Sequence, residues 1–138
     1  MLSDSGQTLA ASIGITSGSI VQEIGLDEDC AQEIRDAFEA ASANQLVDYE
    51  YADVVDCALV WFREDDDDLV DLLVDAISPL AENGVVWLMT PKPGRPGHVS
   101  PADIADSAPT AGLQVTKTVS ASKDWQGTRL VTPKANRR

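Results

Sequence analysis

Basic side chains are scarce over most of this 138-residue chain. Residues 1–90 carry two, Arg35 and Arg63, against 20 acidic ones, a balance of −18. Such a surface repels phosphate backbones and acidic headgroups, which excludes nucleic acid and anionic membrane as partners of a broad electrostatic field. Long apolar runs are missing too, and none approaches the ~18–20 residues of a membrane span. No base precedes Arg35, so the start lacks a secretory pattern and the expected compartment is the cytoplasm. Cysteine is limited to Cys30 and Cys57. In a cytosolic chain both are expected as reduced, buried thiols, although one disulfide stays open on paper. With one histidine, His98, and no CxxC or HExxH, neither a metal nor a catalytic triad is expected.

Hydrophobic residues are plentiful, at 43%, enough for one compact domain over residues 1–138. A leading segment, 1–14, has helical spacing over residues 4–13, with Leu9 and Ile13 on one face. Residues 19–24 read as a short strand ending at Gly25. Asp27 then reads as an N-cap, with Glu28 and Asp29 in the first turn of a helix over 28–42. Residues 45–51 alternate weakly, as a short edge strand would. Residues 54–62 (VVDCALVWF) form a nearly continuous apolar run, the signature of a strand covered on both faces. Asp65 to Asp68 follow. Leu69, Leu72, Leu73, Ala76, Ile77 and Leu80 step at helical spacing, with Asn83-Gly84 as the stop. Residues 85–90 (VVWLMT) read as a second buried strand. A Pro/Gly loop, 91–98, leads to a helix capped by Ser100 with Pro101 at its first position. Strands over 113–120 and 128–133 flank a turn at 123–127, and residues 134–138 form a frayed basic tail.

The order is β-α-β-α-β-α-β-β. Strand–helix alternation predicts parallel strands with right-handed crossovers, and the last two strands form a hairpin. The expected fold is a small α/β, Rossmann-like three-layer sandwich, with a mostly parallel sheet closed by a C-terminal antiparallel hairpin strand.

Residues 54–133, through CALVWF, LAENG, VVWLMT and the strands around Trp125, resemble the second half of an adenosylmethionine-dependent methyltransferase domain. The likeness implies topology rather than activity. The turn after the first strand, Glu23 to Asp27, has one glycine where that family is glycine-rich, and neither G-x-G-x-x-G nor a P-loop occurs. Asp27, Glu28 and Asp29 would repel a phosphate at this helix start. No cofactor is therefore expected, although adenosylmethionine, lacking phosphate, is not excluded by charge. Over nearly all its length the chain also resembles the domain of unknown function 3052 family, especially its actinobacterial members. That resemblance rests on residues 9–15 leading to Gly18-Ser19-Ile20-Val21, the Asp-rich turn, Trp87 to Lys92, and the Trp-containing hairpin. It implies no catalytic residues and at most a metabolic or regulatory association.

In open α/β sheets ligands bind beyond the carboxyl ends of the strands. The loops expected there bring Asp27, Glu28, Arg63 and Asp65 to face Lys92, Arg95 and His98. The aspartates suit a helix start better than a cation site. Lys92, Arg95 and His98 can clamp a carboxylate, a phosphate or an acidic segment, or simply balance nearby acids. His98 has no nucleophile placed beside it in sequence. Trp61 and Trp87 read as core. Trp125 is either a partner anchor or a lid packed on the sheet edge, and packing is favoured. The sequence favours a non-catalytic binding or regulatory module that docks a charged protein partner at this rim. The alternative is a divergent methyltransferase-like enzyme or small-ligand binder. A small anionic ligand and self-association stay open.

Overall fold

A computed structural model describes residues 12–64 and 68–132, with Asn83 described by its backbone alone. Residues 1–11, which hold most of the expected leading helix, Asp65 and the basic tail lie outside those residues. The elements run β1 (Val21–Ile24), α1 (Gln32–Ser42), β2 (Val55–Trp61), α2 (Leu69–Ile77), β3 (Leu80–Pro91), α3 (Pro101–Thr110), β4 (Gln114–Ser120) and β5 (Trp125–Val131).

The strands form one open sheet in the order β1-β2-β3-β5-β4. The β1–β2 and β2–β3 ladders are parallel, while β3–β5 and β4–β5 are antiparallel. The sheet is thus mixed, which corrects the expectation of a mostly parallel one. The reason is where the hairpin goes. Its last strand, β5, inserts between β3 and β4, so one reversed strand creates two antiparallel ladders. The edge is β4, not the final strand. The weak pattern at 45–51 yields a single parallel bridge, Gln22 to Val47, on the free side of β1. Backbone bonds at 2.8 Å (Glu23 to Val47) and 2.9 Å (Val47 to Val21) hold it.

Helices cover both faces. Leu69, Leu73 and Ala76 of α2 and Ile104 and Ala108 of α3 bury against Ala58, Val60, Val86, Leu88 and Leu130. Ile34 and Phe38 of α1 bury on the opposite face with Cys57, Leu59, Trp61, Trp87 and Met89. Alternate residues of β2 and β3 therefore feed two cores, as period-two strands must when both faces are covered. Trp61 and Trp87 are core, as expected, and their indole N–H groups donate to Glu23 Oε2 and Ile13 O, both at 3.0 Å. A buried indole needs such a partner.

Three boundaries move. The first helix begins at Gln32, with Ala31 as its cap position and no side-chain cap. Asp27 instead accepts the backbone N–H of Glu28 at 2.7 Å and stays in the preceding turn. The second helix ends at Ile77, and β3 starts at Leu80, three residues before the presumed Asn83-Gly84 stop. A bulge absorbs the excess: from Val55 to Cys57 the β3 partner jumps from Leu80 to Val85. Trp125 opens β5 rather than sitting in the turn. The Ser100 cap holds as read, its hydroxyl accepting from Ala102 N at 3.2 Å with Pro101 at the first position.

Candidate functional site: a filled crevice at the strand ends

β1 leads to a helix on one face and its neighbour β2 leads to a helix on the other. Their carboxyl ends therefore diverge at a topological switch point, where open α/β sheets usually take ligands. In this protein that crevice holds the chain's own side chains. Gly25, at φ +85°, turns the chain directly off β1, and a Cβ there would lie 2.4 Å from the carbonyl oxygen of Trp61. Only glycine allows so close an approach in this left-handed conformation. The two backbones meet where a ligand would otherwise enter.

Arg63 seals the same place. Its Nη1 donates to Gly25 O at 2.9 Å and its Nε to Asp29 Oδ2 at 3.1 Å, with a second bond from Nη2 to Asp29 Oδ1. The fork is bidentate, the strong geometry for this pair. The guanidinium also stands 5.4 Å from the ring centre of Trp125, within cation–π range. Trp125 is 3% exposed, packs edge-on against Trp61 at 4.9 Å and donates its indole N–H to Asp29 O at 3.1 Å. It is a lid on the core, the packed reading that the sequence favoured, and not an exposed anchor. The Arg63 side chain is 15% exposed against 54% for Asp29. Arg63 holds the Asp29 carboxyl below the usual carboxylate range, against an opposing push from partial burial. Cys30 closes the turn from below: its Sγ accepts from Asp27 N and from Arg63 Nη2, both at 3.3 Å. Burial nevertheless raises the thiol's pKa. Both cysteines are free; Cys57 is buried and Cys30 is half-buried, so the expected burial holds in full for Cys57.

The three loops meet: Arg63 reaches Asp29, and Glu64 N bonds Gly97 O at 2.9 Å, while Lys92 N bonds Asp124 O of the hairpin turn at 2.9 Å. Each of the three basic side chains of the loop has a local partner. Arg95 pairs with Asp124 at 3.2 Å, Lys92 bonds the Ser120 hydroxyl, and His98 Nδ1 lies 2.9 Å from Pro91 O. Asp27 and Glu28 are exposed. Beside Trp125, a hollow of about 180 Å³ is lined by Asp29, Pro91, Arg95, Pro96, Asp124 and Trp125. Among the described residues no group of three His, Cys, Asp or Glu side chains is placed to hold a metal. None of the described helices is long and apolar enough to cross a membrane.

Sequence reading missed Asp29 as the partner of Arg63, and it missed Glu23. Glu23 is 7% exposed and accepts from Arg35 Nε at 2.7 Å, Arg35 Nη2 at 2.9 Å and Trp61 Nε1. The signal was there: a lone acid inside an apolar strand needs a base, and residues 1–90 hold only two.

A family model described as "Protein of unknown function (DUF3052)" matches residues 10–134. The chain belongs to this family. An uncharacterized protein of Mycobacterium tuberculosis is 48% identical to it over 132 residues, covering 96% of this chain and 83% of the relative. An uncharacterized protein of Mycobacterium bovis matches equally well. Among solved structures, this DUF3052 chain is similar to an adenosylmethionine-dependent methyltransferase from Aquifex aeolicus. The TM-score is 0.62 at 14% identity, with coverage of 93% of this chain and 89% of the other. The pyocyanin biosynthetic protein PhzM gives 0.68 at 12% identity over 94% of this chain, which spans about half (54%) of PhzM. At such identities the likeness establishes a methyltransferase-like Rossmann fold and nothing about activity.

Proposed function

We propose that this DUF3052 protein is a non-catalytic binding or regulatory module of the cytoplasm that docks a charged protein partner on its loop rim. The observation that carries this reading is the filled crevice. Gly25 against Trp61, and Arg63 between Asp29 and Trp125, occupy the place where a Rossmann-like enzyme would seat its cofactor. The neighbouring hollow of about 180 Å³ is smaller than the roughly 300–1,000 Å³ of small-molecule sites, but it suits one inserted side chain. Its Arg95–Asp124 pair is half-exposed on both sides, 52% and 41%. Such a pair contributes little to stability and exchanges readily, so an acidic side chain of a partner can take Asp124's place on Arg95.

Affinity purification from the native host, with Arg95→Glu as the control, tests the rim. The expected result is a partner retained by the wild type and lost from the variant, and retention of every partner by Arg95→Glu overturns the reading. The fold shared with methyltransferases favours a second reading, a divergent adenosylmethionine-dependent enzyme. Calorimetry with adenosylmethionine and its demethylated product decides it: no heat is expected up to high micromolar ligand, and saturable heat overturns the non-catalytic reading.

A further inference from the structure

A second concavity lies on the α2 side of the crevice, apart from the rim. About 480 Å³ in volume, it is lined by Gln22, Ile24 and Gly25 of β1 and its turn, Tyr49 and Tyr51, and Leu72, Asp75, Ser78 and Pro79 of α2 and its exit. That volume is in the range of sites for small organic molecules. Among the described residues, α2 and α3 bury against β2, β3 and β5, while the segment around Val47 bridges to the free side of β1.

Its chemistry is one-sided. Ile24 and Leu72 pack against the core and supply an apolar floor. Tyr49 is 72% exposed, an aromatic ring left largely uncovered by its own chain. Asp75 is the charged side chain in the lining. Asp48, Glu50 and Asp53, which flank the two tyrosines in sequence, and Asp71, one helical turn before Asp75, are all exposed. The two bases of residues 1–90 do not offset them. Arg35 pairs with Glu23, whose strand neighbours Val21 and Leu59 lie in the opposite core, and Arg63 is held in its fork with Asp29. That balance repels an anion and attracts a cation, and two tyrosines in the lining add aromatic surface that suits a flat one.

We propose that this groove is a ligand site for a cationic molecule with a flat apolar body, an aromatic amine by class. Gly25 belongs to both places, but Asp75, Tyr49 and Tyr51, which carry this proposal, take no part in the rim reading.

Titration of the ¹⁵N-labelled full-length protein with tryptamine, and in parallel with indole-3-acetate, tests charge selectivity on one ring system. Tryptamine is expected to shift the amides of Gln22, Ile24, Gly25, Tyr51, Leu72 and Asp75 saturably, and indole-3-acetate to leave them unmoved. Asp75→Asn, an exposed helix position, is expected to weaken tryptamine by roughly threefold to fivefold, and Tyr51→Ala to weaken it further. Spectral dispersion of each variant verifies folding. No saturable shift in the groove at millimolar tryptamine, an equal response to both indoles, or unchanged affinity in Asp75→Asn overturns the proposal.

Discussion

Arg63 and Arg35 carry unusual weight because so few bases surround so many acids. Each is the fixed end of a bidentate pair, yet the two pairs differ in burial. Glu23 is buried, and the partly exposed Arg35 and the buried Trp61 both donate to it. Removing it leaves the Trp61 indole N–H without its acceptor and Arg35 with Gln32 Oε1 in place of a carboxylate. Glu23→Ala is therefore expected to cost about 2–4 kcal/mol, read as a lowered urea midpoint. Asp29 is half-exposed, so its pair with Arg63 contributes below about 1 kcal/mol. The sign with pH follows from its lowered pKa. The stabilisation is fully present above the unfolded value, near ~3.9, and is lost as pH falls through the lower folded value. Urea titrations should show Asp29→Asn less stable than wild type at neutral pH, with the gap closing at the acid end. A gap that persists below pH ~2 would mean that the carboxylate's charge is not what matters.

At the scale of elements, the turns position the site more than the strands do. Gly25 lets the β1–α1 turn press on the end of β2. Gly25→Ala would demand a left-handed alanine and move Trp61's backbone, so it should destabilise by about 2–4 kcal/mol and shift the fluorescence of the edge-packed Trp61 and Trp125. Wild-type stability in this variant would show that the two turns do not touch as described. At the start of α2, Asp68 accepts the backbone N–H groups of Val70 and Asp71, at 2.8 and 3.3 Å. Asp68→Ala is expected to cost about 1 kcal/mol by denaturant titration. That cap gives at least one residue of the aspartate run a structural role, the one assigned to helix starts.

Over the whole molecule, the sheet order sorts charge in space. The strand order puts β1, with its acidic neighbours, at one side and β4, with β5, at the other. Three bases of the C-terminal third, Lys117, Lys123 and Arg129, lie on that hairpin. The chain's −13 is thus a lateral polarity and not a uniform field. β4 is exposed from Gln114 to Thr118, and its outer edge is an open template for another strand. Lys117 stands near its middle, where a two-fold pairing of β4 with β4 would oppose two lysines. Lys117→Val should therefore increase self-association, measured by sedimentation velocity across a concentration series. An unchanged distribution would show that another feature guards the edge.

The sequence by itself determined the elements and the faces they bury. Period-two and helical spacing in residues 54–90, the Ser100-Pro101 cap and the core tryptophans needed only local chemistry. It also identified which loops gather at the strand ends, because alternating β and α leaves few topologies. It could not say that β5 enters between β3 and β4, since a hairpin reads the same whichever of its strands pairs with the sheet. Nor could it say that Arg63 reaches back to Asp29, 34 residues earlier, or that Trp125, 96 residues from Asp29, lids the same pair. Those contacts join segments with no sequence proximity, and they exist only once the sheet brings the ends of β1, β2 and β5 together. The residues of the candidate site were mostly legible as types. Whether they offer their charges to a ligand or to one another was decided by the tertiary structure, because hydrogen-bonding reach is a matter of a few ångströms and not of order along the chain.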